Sequence, residues 1–157
     1  MQPPQMRSDE ERAVDADIQA AEPPILVKFA SVAQGLAGLF VGLTGLQMVD
    51  FRWRVEWASY VPYCLLFLGA AGLGMSAMLY RSRRWAGIAS PILGAVTALT
   101  MVGWLFHVLT NVFSCIMWVA VPLSCLSTIL SAVSVGPVLR TAAARRRLSD
   151  RGMNLGL

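Results

Sequence analysis

The sequence contains a run of 55 residues, from Trp85 to Leu139, without a single Lys, Arg, Asp or Glu. A helix needs about 20 apolar residues to cross roughly 30 Å of hydrocarbon, so this run is too long for one membrane-spanning helix and suits two. Only 14% of the whole chain is charged, whereas soluble domains average roughly 25%. The sequence therefore predicts an integral membrane protein.

Four apolar segments are each long enough to span a membrane as a helix. Pro23 and Pro24 stand just before the first segment, where a missing backbone N–H costs nothing. The last two segments are divided at Thr110 and Asn111, because Asn favours turns. The predicted spans are residues 25–49, 58–80, 85–109 and 112–139. The predicted fold class is an all-α integral membrane protein, with four transmembrane helices in a compact bundle.

Basic residues predict the orientation of this bundle, because cytoplasmic loops are enriched in Lys and Arg. With the N-terminus inside, 11 of the 13 basic residues lie on the cytoplasmic side, and only Arg52 and Arg54 lie outside. We therefore expect both termini in the cytoplasm. Arg greatly outnumbers Lys, which favours a GC-rich bacterial genome and hence the bacterial cytoplasmic (inner) membrane.

The two ends of the chain carry opposite charge. Residues 1–24 form an acidic cytoplasmic arm of net charge −4, and the rest of the chain carries +8. Ser8 and Glu11 form a capping-box pattern, which favours a short helix to about Ala21, although a disordered arm also fits. This arm either folds back on the basic rim of the bundle or binds a partner.

Arginines at the inner boundary are expected to contact anionic lipid, which attracts basic clusters beside a membrane span. Several of them lie in the basic C-terminal tail, residues 140–157, and the others lie between the second and third spans. The residues predicted to make this contact are Arg81, Arg83, Arg84, Arg140, Arg145, Arg146 and Arg147.

Small residues form a narrow stripe on one face of the first span and on one face of the fourth. Steps of three and four residues place them on the same side of a helix, where they let two backbones approach closely. The first stripe packs either within its own bundle or against another chain, and Gln34 lies beside it. The predicted helix-packing residues are Ser31, Gly35, Gly38, Gly42, Gly45, Ala120, Ser124, Ser127, Ser131 and Ser134.

The second span carries small residues on two faces. One face has Gly69, Gly72 and Ser76, and the other has Ala70, Gly74 and Ala77. The third span also has a small-residue face, so every span has at least one. This distribution favours a bundle in which such faces meet one another.

No residue set amounts to a catalytic, metal or cofactor motif. The spans contain no carboxylate, which argues against a proton-coupled transporter. Their ionisable side chains are Lys28, near the inner boundary, and His107, near the outer one. The cysteines all lie in apolar segments and are typical of buried thiols: Cys64, Cys115 and Cys125. We expect no enzymatic activity, no cofactor, no metal and no nucleic-acid partner.

Three functions remain as hypotheses. The first is a structural or accessory subunit that packs through its Gly and Ser faces into a larger membrane assembly. Its partners would be membrane lipids and either other membrane subunits or further copies of itself. The second is a homo-oligomeric channel or small transporter lined by the serines of the fourth span. The third is a redox or enzyme subunit that uses His107.

Overall fold

The computed structural model describes residues 9–49, 60–108 and 115–153. Within these ranges the chain is helical apart from short connections, and no strand occurs. The helices are α1 (Asp9–Ala21), α2 (Ile25–Val49), α3 (Val61–Tyr80), α4 (Arg84–Val108) and α5 (Cys115–Asp150). Four of them are long and apolar enough to cross a membrane, which confirms the all-helical fold class and its four candidate spans.

The largest difference from the predicted spans is the length of α5. This helix continues beyond Leu139, the predicted end of the span, as far as Asp150. Its added residues are mainly Ala and Arg, which are strong helix formers, and they pack against α1. The predicted break at Thr110 and Asn111 lies outside the described residues, as does the predicted start of the second span at residue 58.

A tight turn at Ser82 joins α3 to α4. The N–H of Ser82 donates to the carbonyl of Leu79 at 2.8 Å, and that of Arg83 donates to Met78 at 3.1 Å. This pair of hydrogen bonds is a Schellman motif, which requires a left-handed residue after the helix. Ser82 supplies it with a φ of 51°, at a position where glycine is usual.

The order of packing places α2 and α5 in the middle of the bundle. α2 packs extensively on α3 and also on α5, while α5 packs on α4. α3 touches α4 more sparingly, and α1 lies against the end of α5. Of the four long helices, α3 buries the smallest share of its apolar stretch.

The glycines of α2 lie directly against α3. A Cβ built at Gly38 would stand 2.8 Å from the carbonyl oxygen of Gly69, and one built at Gly45 would stand 2.8 Å from that of Pro62. Real side chains do not approach a backbone so closely, so only glycine fits at these two positions. The small-residue stripe of the first span therefore packs within its own chain.

Buried apolar side chains form two layers, one toward each end of the bundle. The layer nearer the turn at Ser82 contains Val27, Ala30, Leu79 and Val138. The other layer contains Val41, Met48, Leu65, Met101, Trp104 and Ala120. Between them lie small buried side chains, several of them polar.

The outer surface of the bundle, by contrast, carries large apolar side chains. On α2 the serine and the glycines at positions 38 and 45 are buried, whereas most of the large apolar side chains point outward. The exposed residues on this helix include Ile25, Phe29, Val32, Leu36, Leu39, Leu43 and Leu46. Small residues inside and large apolar residues outside are the arrangement expected of helices surrounded by lipid.

Gly38→Ala should lower the free energy of unfolding by about 1–3 kcal/mol, because its methyl group would overpack a backbone contact. The matched control is Gly42→Ala on the same stripe, where a Cβ would meet only the Cα of Gly69 at 3.8 Å. That substitution should be neutral or slightly stabilising, since Ala is the better helix former. Thermal unfolding in detergent, followed by circular dichroism, measures both. Equal effects would contradict the close packing of α2 on α3.

Candidate functional site

A hydrogen-bonded polar layer lies inside the bundle and joins α2, α4 and α5. The hydroxyl of Ser127 donates to the side-chain oxygen of Gln34 at 3.0 Å, and that of Ser131 approaches the same oxygen at 3.4 Å. The hydroxyl of Ser90 donates to that of Ser131 at 3.0 Å. None of these four side chains is more than 2% exposed. We call these four residues the polar layer.

The chemistry available to the polar layer is limited to hydrogen bonding. It consists of one amide and three hydroxyls, and a serine needs an adjacent base to become a nucleophile. Ser134 extends the layer by donating to the carbonyl of Ser131 at 2.8 Å. The hydroxyl of Ser124 has no hydrogen-bond partner among the described residues. Such buried hydrogen bonds join helices in an apolar surrounding and fix their relative position.

The predicted helix-packing residues contact neighbouring helices of the same chain. Ser76 of α3 donates to the carbonyl of Ser31 at 2.6 Å, which continues the contact of the α2 glycines. The α2 residues on the side of α3 are Ser31, Gly35, Gly38, Gly42 and Gly45. The predicted residues of α5 all lie on its buried face: Ala120, Ser124, Ser127, Ser131 and Ser134. A partner chain would therefore need a different surface.

The remaining candidate residues are His107 and the three cysteines. His107 is in the last turn of α4, and its side chain lies outside the described part of the structure, as does that of Cys115. Cys125 is half-buried, but Cys64 is exposed on α3, so the expectation of a buried thiol is wrong at Cys64. Among the described residues, no three His, Cys, Asp or Glu side chains come together as a metal site would require.

The acidic arm folds back on the basic end of α5 as far as the structure describes it. The carboxylate of Asp17 lies 3.0 Å from the guanidinium of Arg147 and 3.3 Å from that of Arg151. Asp17 is largely covered, but both arginines are exposed to solvent, which limits such pairs to about 0–1 kcal/mol each. Apolar contact also holds α1 against α5, through Ala21, Ala144 and Leu148.

Arg145 of α5 binds the C-terminal ends of two other helices. Its Nε donates to the carbonyl of Ala21 at the end of α1 at 2.9 Å, and its Nη1 donates to that of Arg81 at the end of α3 at 2.8 Å. A cation is favoured at both places, because the carbonyls at a helix C-terminus lack partners and carry partial negative charge. Arg145 lies beyond the apolar stretch of α5. Burial, and then the neighbouring charge of Arg83, lower the pKa of Arg145 below its usual value.

No family model, curated protein or solved structure matches this chain. The distinctive features of the chain are the polar layer, the uncovered faces of the helices and the arginine-rich end.

Gln34→Leu should lower the free energy of unfolding by about 0.6–1.7 kcal/mol, because Ser127 and Ser131 lose their shared acceptor. In a double-mutant cycle, Gln34→Leu and Ser127→Ala should be coupled by about 0.6 kcal/mol. The control cycle replaces Ser127→Ala by Ser149→Ala, at an exposed position on the same helix, and should show no coupling. Denaturant titration in detergent gives all the values. No coupling between Gln34 and Ser127 would contradict the hydrogen bond.

Ser127→Cys should not react with a water-soluble thiol reagent, because Ser127 is only 1% exposed. The experiment uses a chain whose native cysteines are replaced by alanine. Ser149→Cys, at the exposed end of the same helix, is the positive control and should react at once. Labelling of both positions at similar rates would instead favour the channel hypothesis, in which the serines of α5 line a wet path.

Proposed function

We propose that this chain is a non-enzymatic membrane subunit that packs against another helix in a larger assembly of the bacterial cytoplasmic membrane. Helices α2 to α5 cross the bilayer, and both termini lie in the cytoplasm. The apolar outer surface and the four long helices support insertion. The arginines at the end that carries α1 support the orientation, because cytoplasmic boundaries are enriched in basic residues.

The observation that carries this proposal is an uncovered stripe of small residues on α3. Ala70, Gly74 and Ala77 are all exposed, and a Cβ built at Gly74 would meet nothing within 4 Å. The opposite small-residue face of α3, at Gly69 and Gly72, is already occupied by α2. α3 therefore offers an unoccupied small-residue surface of the kind through which membrane helices associate.

Two aromatic side chains extend this stripe toward the other end of the helix. Tyr63 and Phe67 are 61% and 73% exposed, and they continue the same alternation of four-residue and three-residue steps. A mean step of 3.5 residues favours a left-handed crossing with a partner helix. Exposed aromatic rings beside a small-residue surface would close around that helix and anchor it. We call Tyr63, Phe67, Ala70, Gly74 and Ala77 the α3 stripe.

The interior of the bundle supports a structural role rather than a chemical one. The four side chains of the polar layer bond to one another, and none of them is ionisable. Other buried hydroxyls, such as those of Thr44 and Thr97, donate to carbonyls of their own helix. In membrane proteins, ionisable groups within the spans mark ion and proton paths. A rigid hydrogen-bonded interior with an open outer stripe suits a subunit that is recognised by its surface.

Gly74→Leu should release the chain from its assembly, because the larger side chain would separate α3 from the partner helix. The monomer should stay folded, since the space around Gly74 is open. Gly103→Leu is the matched control, because Gly103 is also exposed, with nothing within 4 Å of a built Cβ. Native mass spectrometry of the gently extracted protein measures the assembly mass. A wild-type chain that emerges alone, or a Gly74→Leu complex of unchanged mass, would overturn the proposal.

A further inference from the structure

A cleft opens at the arginine-rich end of the bundle, where the turn between α3 and α4 faces α5. Its volume is about 380 Å³, and its lining residues are Arg81, Ser82, Arg83, Arg84, Ala142 and Arg145. We call this the arginine cleft. Three of its arginines follow the end of α3 within four residues of sequence, and the fourth is brought in by α5.

The charge of the arginine cleft is not balanced by its own walls. Four of the six lining residues are arginines, and none of the six is acidic. Asp17 pairs with Arg147 and Arg151, and Glu22 pairs with Lys28 at 3.5 Å. Asp150 lines an adjoining cleft that shares Arg84 and Ala142, but it does not line the arginine cleft itself. Like charges held together in a concave surface attract an anion.

Ser82 adds an unsatisfied hydroxyl to the same wall. Its side chain is only 3% exposed, and its Oγ has no hydrogen-bond partner among the described residues. A buried polar group without a partner is unfavourable. An acceptor oxygen of a ligand in the cleft would give this hydroxyl a partner.

The start of α4 also borders the cleft, since this helix begins at Arg84. Free N–H groups at a helix start are common partners of phosphate. The partial negative charge of the α3 C-terminus at Arg81, to which Arg145 donates, offsets the dipole of α4 there. The attraction of the cleft for an anion therefore comes mainly from its guanidiniums.

We propose that the arginine cleft binds one phosphate group through the guanidiniums of Arg81, Arg83 and Arg84 and the hydroxyl of Ser82. A phosphate monoester presents three strong acceptor oxygens and nearly two negative charges, which suits several arginines better than the two oxygens of a carboxylate. The group belongs either to an anionic lipid headgroup or to a soluble phosphate compound. The site is distinct from the α3 stripe, so Gly74→Leu leaves it intact.

Two probes distinguish these sources, both applied to the full-length chain in phosphatidylcholine nanodiscs. The first probe is inorganic phosphate, titrated calorimetrically. The second is phosphatidic acid, included as a minor lipid of the nanodisc. Oleate, added to give the same surface charge, is its control. Native mass spectrometry counts the phosphatidic acid and oleate molecules that stay bound to the protein. We expect one saturable site for one of the two probes. Saturation by inorganic phosphate identifies a soluble ligand, and selective retention of phosphatidic acid identifies a lipid headgroup.

Substitutions locate the site within the arginine-rich end. Arg83→Gln should weaken binding about tenfold, because it removes a charge-assisted hydrogen bond. Arg140→Gln is the matched control, since Arg140 is exposed on α5 outside the cleft. This substitution should change the affinity by less than about twofold, because salt screens an exposed charge at that distance.

The hydroxyl of Ser82 is tested with two variants. Ser82→Ala and Ser82→Gly both remove it, and the second also relieves the left-handed backbone. Each should weaken binding about fivefold, the effect of one neutral hydrogen bond. Circular dichroism and gel filtration check that the variants stay folded. The proposal is overturned if neither probe saturates, if Arg83→Gln and Arg140→Gln weaken binding equally, or if both Ser82 variants bind as tightly as the native chain.

Discussion

The bundle depends above all on the approach of two backbones, those of α2 at Gly38 and of α3 at Gly69. A Cβ at either residue would stand within 2.8 Å of the carbonyl oxygen of the other. In lipid, apolar surfaces gain nothing by leaving the solvent, so helices associate through dispersion contacts at short range. Once α3 occupies the glycine face of α2, Gln34 projects on another side, where it meets Ser127 of α5.

Hydrogen bonds to Gln34 define the register of α2 against α5, which contacts between small residues alone do not fix. A smooth glycine or serine face permits a neighbouring helix to slide, since many positions pack about equally well. One amide oxygen that accepts from Ser127 and Ser131 favours a single position along α5. Apolar layers on both sides exclude water, and a low local dielectric strengthens the bonds between them. The second helix pair, α4 and α5, is thereby joined to the first.

Much of this fold follows from the sequence, but the neighbours of each face do not. Hydrophobic length predicts the four long helices, and steps of three and four residues predict which residues share a face. Such steps do not say which helix lies opposite, so the glycines of α2 and the stripe at Gly74 look equivalent although one is covered and the other open. The sequence does not reveal the left-handed turn at Ser82, because such a turn is normally marked by glycine. In the sequence Arg145 is one arginine among several in a basic tail. Its bonds to the ends of α1 and α3 depend on the tertiary fold, which the sequence pattern does not show.

The two proposed sites lie on or next to a single helix, and the packing of α3 determines whether they influence each other. The α3 stripe occupies one face of this helix, and the arginine cleft begins at its last residue. Gly45 and Gly38 of α2 contact the backbone of α3 near its start and at its middle. Arg145 donates to the carbonyl of Arg81 at the end of α3. Among the described residues the boundary of α3 with α4 is the more sparse one. A helix held in this way has little freedom to shift when a partner binds, so the subunit contact and the phosphate site should act independently.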